Sequence, residues 1–282
     1  MFEGYRPFGY SDDEWEASQV LIDGAPDEMR QLLYHPLARR LTRSESDWLD
    51  EGVGLLIRAK IKVDLGERAG SYVSRQQLLM QFDALSDLEL LRLVDFVLLI
   101  TQPQREDETP TDFAIAFDAS SSKWAPQWDG TRWALLERVP QGVQTAVENT
   151  ISTSRSGGRL LQEAWAAAYG IQPDAGAAYR ASVRAVEAAA HDMVEPRNQR
   201  ATLGTMARVI DDQKTWTLPL TERDDHVGDN RALIVRMMLM LYEGQQDRHG
   251  AGAITLDEAR TAVHAAATLV AWFNAGYVTN DD

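Results

Sequence analysis

The chain has 282 residues, 44% of them hydrophobic and 25% charged, with no cysteine and a formal net charge of −15 at pH 7. That length holds one large domain or two ordinary ones, and the composition excludes fibrous, collagen-like and wholly disordered classes. Without cysteine there are no disulfides, thiol nucleophiles or Cys-based zinc sites, and the acidic balance opposes nucleic-acid binding on average while leaving room for a local basic groove.

The first dozen residues are aromatic and glycine-rich without periodicity, which predicts an irregular arm. They lack a basic segment followed by an apolar run, so no signal peptide is expected. The most apolar stretch, Leu88–Ile100, carries Glu89, Arg92 and Asp95 and is too short for a membrane span, so a cytoplasmic protein with no membrane partner is expected. Met29, Leu32, Leu33 and Leu37 predict a helix over Asp27–Arg40. Leu49, Val53, Leu56 and Ile57 predict another over Ser46–Ile61. Ser86 and Glu89 form a capping box before Leu90–Ile100, whose apolar residues lie nearly all round a helix and predict a central, buried one. A polar connector follows over Gln102–Thr111.

Phe113–Phe117 reads as a short helix or strand. Ser120–Trp133 sets three Trp around an Asp129–Gly130 turn, which predicts a small hairpin or loop insert. Those Trp residues either fill a crevice between helices or form an aromatic binding platform; base stacking would want more cations than Lys123 and Arg132. Gln141–Ile151 is a further predicted helix. Ser152–Arg159 (STSRSGGR) reads as a flexible linker, or as a phosphate cradle that lacks the P-loop spacing. The expected boundary lies there, between an N-terminal helical region, 1–151, and a C-terminal domain, 156–282.

Leu160–Tyr169, Pro173–Val194, Ala201–Asp211, Asp229–Glu243 and Leu256–Asn274 are the predicted helices of that domain, with Pro173 at a helix start and a Thr255/Glu258 capping box before the last. No segment among them alternates like a strand. Short polar connectors predict an up-and-down bundle. The expected fold class is therefore mainly α: an N-terminal helical region with a small Trp-rich insert, then a C-terminal helix bundle.

None of the five histidines, His35, His191, His226, His249 and His264, forms a ligand pair, and no dinucleotide fingerprint, P-loop or nucleophile elbow is present, so neither metal nor cofactor is expected. Arg180, Arg184, Glu187 and His191 fall in one stripe of a helix, either a solvated face or a functional one. A second cluster, Glu243 to Gly250, follows a Met- and Leu-rich helix that Gly244 is placed to end. There the His249 imidazole would accept a proton and Arg248 would stabilise a phosphorane-like charge, which suits RNA cleavage through the 2′-hydroxyl. The same residues also suit a structural turn.

The runs EAWAAAYG, AYRASVRAVEAAA, ATLGTMARVI, MLYEGQQDRHG and AVHAAATLVAWF together resemble the C-terminal domain of bacterial abortive-infection proteins, which is similar to HEPN-type helical bundles. The resemblance covers about Phe113 to Phe273. It implies a metal-independent endoribonuclease acting in antiphage defence, a homodimer with the His-bearing turns in a shared groove, and activation through the N-terminal region by a protein partner. It carries His249 and Gly250 over as the end of the family's motif, with Arg248 and Glu187 as polar partners. It also leaves Arg180 and Arg184 as candidate RNA contacts. The family's arginine position falls near Tyr242–Glu243, which hold Tyr and Glu. That departure keeps a second reading open: a non-catalytic interaction or sensor module that retains the bundle.

Overall fold

A computed structural model describes residues 11, 13, 20–42, 48–66, 73–101, 105–154, 156–220, 230–246 and 253–280. The chain is mainly helical and divides into two compact units, 1–138 and 139–282. The N-terminal arm lies outside the described residues. No helix is long and apolar enough to cross a membrane among the described residues.

In the first unit, helix α1 spans Asp27–Leu41 and α2 Glu51–Ile61. The latter begins later than its apolar spacing predicts. Trp48 and Leu49 sit in isolated β-bridges, and the Asp50 side chain accepts from the Val53 N–H, so the helix starts behind that cap. Helix α3, Arg75–Ala84, has no strong apolar period and escapes sequence reading. It is announced only by a capping box in which Ser74 and Gln77 satisfy each other's backbone N–H. Helix α4, Asp87–Thr101, is the buried one: Leu90, Leu91, Leu93, Val94, Phe96, Val97 and Leu98 all face the interior, behind the Ser86–Glu89 box. Phe113–Phe117 belongs to a helix, α5, Thr111–Ala119.

The Trp-rich segment is a hairpin of β1 (Trp124–Trp128) and β2 (Trp133–Glu137), closed by the Trp128–Trp133 pair. Asp129 fixes the turn by accepting from the N–H groups of Thr131 and Arg132 at 2.9 and 3.0 Å, while Gly130 takes the positive φ of +103° that other residues resist. β2 is buried on α4, where Asp95 accepts from the Leu135 N–H at 2.9 Å and pairs with Arg132 at 3.2 Å. Trp133 is interior and its Nε1–H donates to the Arg105 carbonyl. Trp124 and Trp128 are half-buried, and the Lys123 ammonium above Trp124 is neutralised by Asp23 at 2.8 Å. These contacts match the crevice-filling role.

The second unit holds α6 (Gln141–Thr153), α7 (Gly158–Tyr169), α8 (Ala175–Val194), α9 (Leu203–Asp212), α10 (Asn230–Gln246) and α11 (Leu256–Asn274). Because α6 packs on α7 and α11, this unit begins at Val139, ahead of the expected 151/156 boundary. The Gly157–Gly158 pair differs from a flexible linker for the same reason. A Cβ on Gly157 would lie 2.7 Å from the Ala185 carbonyl of α8, and one on Gly158 would strike the Ile151 carbonyl of α6. These glycines permit close backbone approach and mark a packed joint.

Gly157 sits by Ala185, Ala189 and Val270, whereas Tyr169 at the other end of α7 meets Arg260 and His264. Helix α7 therefore runs antiparallel to both α8 and α11, and those two run in the same sense. The short 170–174 turn dictates the first relation. Asp174 caps α8 by accepting from the Ala177 N–H, so Pro173 stands before the cap and the helix begins at Ala175. Strands are minimal here: Trp216–Thr217 pairs with Thr279–Asn280, too short to show alternation.

Candidate functional site

Helix α8 is central to the second unit. Ala178, Tyr179, Ala181, Ser182, Val183, Ala185, Val186, Ala190 and Val194 are buried, which leaves one outward strip. At 100° per residue, Arg180, Arg184, Glu187 and His191 fall within an arc of about 60°, and that arc is the strip. Arg180 and Arg184 are exposed; Glu187 and His191 are half-buried.

Glu187 is not paired with Arg184 among the described residues. Its carboxylate accepts from the Leu203 N–H at 2.8 Å, at the first residue of α9, where the helix leaves its amides unsatisfied and favours negative charge. This placement gives Glu187 a capping role across helices. His191 holds the turn after α8. Its Nε2 lies 3.1 Å from the Asn198 carbonyl and its Nδ1 3.3 Å from Asp192, and these contacts, the carboxylate first, raise its pKa above the ordinary histidine value. Asn198 donates to Glu195 at 2.9 Å, and the other Glu195 oxygen accepts from the Thr205 hydroxyl at 3.0 Å. The 195–202 turn is thus pinned to both helices it joins.

The end of α10 leads toward the Arg-His-Gly segment. Arg248 and His249 lie outside the described residues, as does His226. Gly244 differs from its predicted stop: α10 runs through it to Gln246. A Cβ there would strike the Tyr179 hydroxyl, which donates to the Met240 carbonyl at 3.4 Å. Gly204 plays the matching part in α9, where a Cβ would come within 2.7–2.9 Å of the Tyr242 ring. The last described turn of α10 is therefore seated on the start of α8, one residue from Arg180.

A further cluster joins α7 to α11. The Tyr169 hydroxyl and His264 Nε2 are 2.7 Å apart, Trp165 stacks on Tyr169 at 4.4 Å, and the Arg260 guanidinium lies 4.7 Å over the Tyr169 ring. The two partners of this bond are 95 residues apart in the chain, so no local pattern announces it. Burial, and then the charge of Arg260, push the His264 pKa below its ordinary value and favour the neutral imidazole. The unfolded chain therefore takes up this proton at a higher pH than the folded one. His264 supports the fold fully above its unfolded pKa of about 6.5, and that support is lost as pH falls. Stability measured by urea titration is expected to decline between pH 7 and 5, with the slope reduced in His264→Gln; an unchanged slope would contradict the assignment.

Among the described residues no group of three or more His, Asp or Glu is placed to hold a metal ion. The second unit is a helical bundle in which α10, the helix that leads to the Arg-His-Gly segment, packs on α8 through Tyr179. Comparison with known families, with curated proteins and with solved structures finds no match to this chain.

Proposed function

We propose that the chain is an abortive-infection-like antiphage defence protein whose second unit is a HEPN-like module that cleaves RNA without a metal. In this reading His249 accepts the proton of a ribose 2′-hydroxyl, and the 2′-oxygen attacks the adjacent phosphorus. The 5′-oxygen then leaves and takes up a proton, while Arg248 stabilises the charge on the phosphoryl oxygens. Arg180 and Arg184 contact the RNA backbone. The observation that supports this most is the seating of α10 on α8 through Gly244 and Tyr179, which joins the helix leading to the motif to the helix that carries Arg180 and Arg184. The first unit then acts as the region through which a protein partner triggers the second.

One observation favours a second reading, a non-catalytic interaction module. Glu187, the carboxylate expected beside the histidine, is used to cap α9. The two readings separate in a bacterial host challenged with phage, with total and transfer RNA inspected after expression. Growth arrest and RNA fragments with the native chain, both lost in His249→Ala and in Arg248→Ala, are expected. Arrest that persists in both variants with intact RNA supports the interaction module instead.

A further inference from the structure

In the first unit, four of the more buried arginines are matched to carboxylates: Arg30 to Asp87 at 2.6 Å, Arg40 to Asp112 at 2.6 Å, Arg132 to Asp95 at 3.2 Å and Arg138 to Asp118 at 2.5 Å. A chain with 43 carboxylates against 28 Lys and Arg offers partners in excess. Residues 175–208 behave differently. They hold five arginines against Glu187, Asp192 and Glu195, a net of +2 in a chain of −15. Arg180, Arg184, Arg197 and Arg200 are all exposed, and none makes an ion pair among the described residues. The carboxylates nearest in sequence are occupied: Glu187 by the α9 amide, Glu195 by Asn198 and Thr205, and Asp192 by His191.

The turn that carries the second pair of arginines is ordered by its own hydrogen bonds. Asn198 is the hub: its N–H donates to the Glu195 carbonyl, its own carbonyl accepts from Ala201, and its side-chain oxygen accepts from the Arg200 N–H at 3.1 Å. Arg197 and Arg200 thus stand on a fixed loop that the His191–Asn198 contact ties to the end of the α8 strip, and along that strip Arg180 and Arg184 stand about 6 Å apart. Guanidinium forks suit phosphate oxygens, and a row of them that makes no ion pair among the described residues suits an extended polyanion.

We infer that the outward strip of α8 and the 195–202 turn form one binding track for the phosphate backbone of single-stranded RNA, held by Arg180, Arg184, Arg197 and Arg200. The choice of RNA as the polyanion rests on the function proposed above. The contacts are to backbone charge, so binding is independent of base sequence and sensitive to salt. For single strands the salt slope is about −0.7 per neutralised phosphate, so four contacts give a slope near −2.8.

The test uses the full chain carrying His249→Ala, so that RNA is not consumed, with labelled 20-nucleotide oligo(U) and oligo(A) titrated across salt. Arg197→Gln/Arg200→Gln and Arg180→Gln/Arg184→Gln are each expected to weaken binding by on the order of tenfold and to reduce the slope by about 1.4. Arg159→Gln, which removes an exposed arginine already paired with Glu163, is expected to leave both unchanged. Equal binding by all variants overturns the track, as does displacement of RNA by polyglutamate at matched charge. Cutting is scored on the chain with native His249. Uncut RNA with variant-sensitive binding removes the nuclease and leaves the track; cut RNA with variant-insensitive binding does the reverse.

Discussion

Gly157→Ala together with Gly158→Ala is expected to lower the stability of the second unit by about 3 kcal/mol, since forcing atoms into a packed joint costs roughly 1–3 kcal/mol per site. For a chain of this size that corresponds to a fall in melting temperature of roughly 6–12 °C. The cause is backbone, not side chain. The new methyl on residue 157 meets the Ala185 carbonyl, and that on residue 158 meets the Ile151 carbonyl, and neither oxygen moves without moving a helix. Gly142, whose added methyl would meet nothing within 4 Å, supplies the control, and Gly142→Ala is expected to leave the melt unchanged or slightly raised. A melting temperature unaffected by the double change would restore a flexible linker at this point and move the unit boundary back toward it.

Asp112→Asn is expected to cost the first unit about 2–3 kcal/mol. Asp112 receives Arg40 through both oxygens, at 2.6 and 2.9 Å, and Arg39 at 2.8 Å, while Arg40 also lies 4.6 Å over the Phe113 ring. Removing one side of a largely buried pair costs about 3–5 kcal/mol, and the carboxylate's 29% exposure lowers that figure through solvent screening. Burial pushes the Asp112 carboxyl up, but the hydrogen bonds and charge of Arg40, helped by the Phe113 N–H and Arg39, outweigh it and hold the carboxyl below the ordinary aspartate value. Its folded pKa is thus the lower one, so the stabilisation is fully present above about pH 4 and is lost as pH falls through the folded value. Denaturant titration is expected to show a gap between native and variant chains that is constant from pH 5 to 7 and closes below pH 4. A gap that widens on acidification would contradict this pairing.

How far the fold can be read from the residues depends on where each signal resides. Local signals survive folding. The Ser86–Glu89 and Thr255–Glu258 boxes, the apolar surface of Leu90–Ile100 and the Asp129–Gly130 turn all stand where their sequences place them, because each is satisfied within a few residues. Helix α3 escapes because its residues bury little besides Leu78 and Phe82 and so leave no apolar period. The glycines mislead for a different reason. A glycine before a helix, or near its end, reads as a hinge or a stop, yet Gly157 and Gly244 make room for an atom from a distant part of the chain, and Gly158 for a carbonyl of the preceding helix.

The candidate site divides the same way. The stripe of Arg180, Arg184, Glu187 and His191 is legible because it follows from helical geometry alone. What each member does is not, because Glu187 is committed by the amide of Leu203 and His191 by the carbonyl of Asn198. Arg197 and Arg200 carry no periodic signal. They become noticeable only when the surrounding carboxylates are seen to be occupied.

The reaction proposed for the second unit makes one chemical demand that other routes to RNA breakage do not share. Attack by the 2′-oxygen needs no metal and leaves a 2′,3′-cyclic phosphate on the upstream fragment. Purified full-length chain, incubated with labelled RNA in excess EDTA and followed by end analysis of the fragments, reads this directly. Fragments ending in cyclic phosphate, absent with His249→Ala, are the expected result. Intact RNA, or cutting that appears only with added magnesium and leaves 3′-hydroxyl ends, would contradict it.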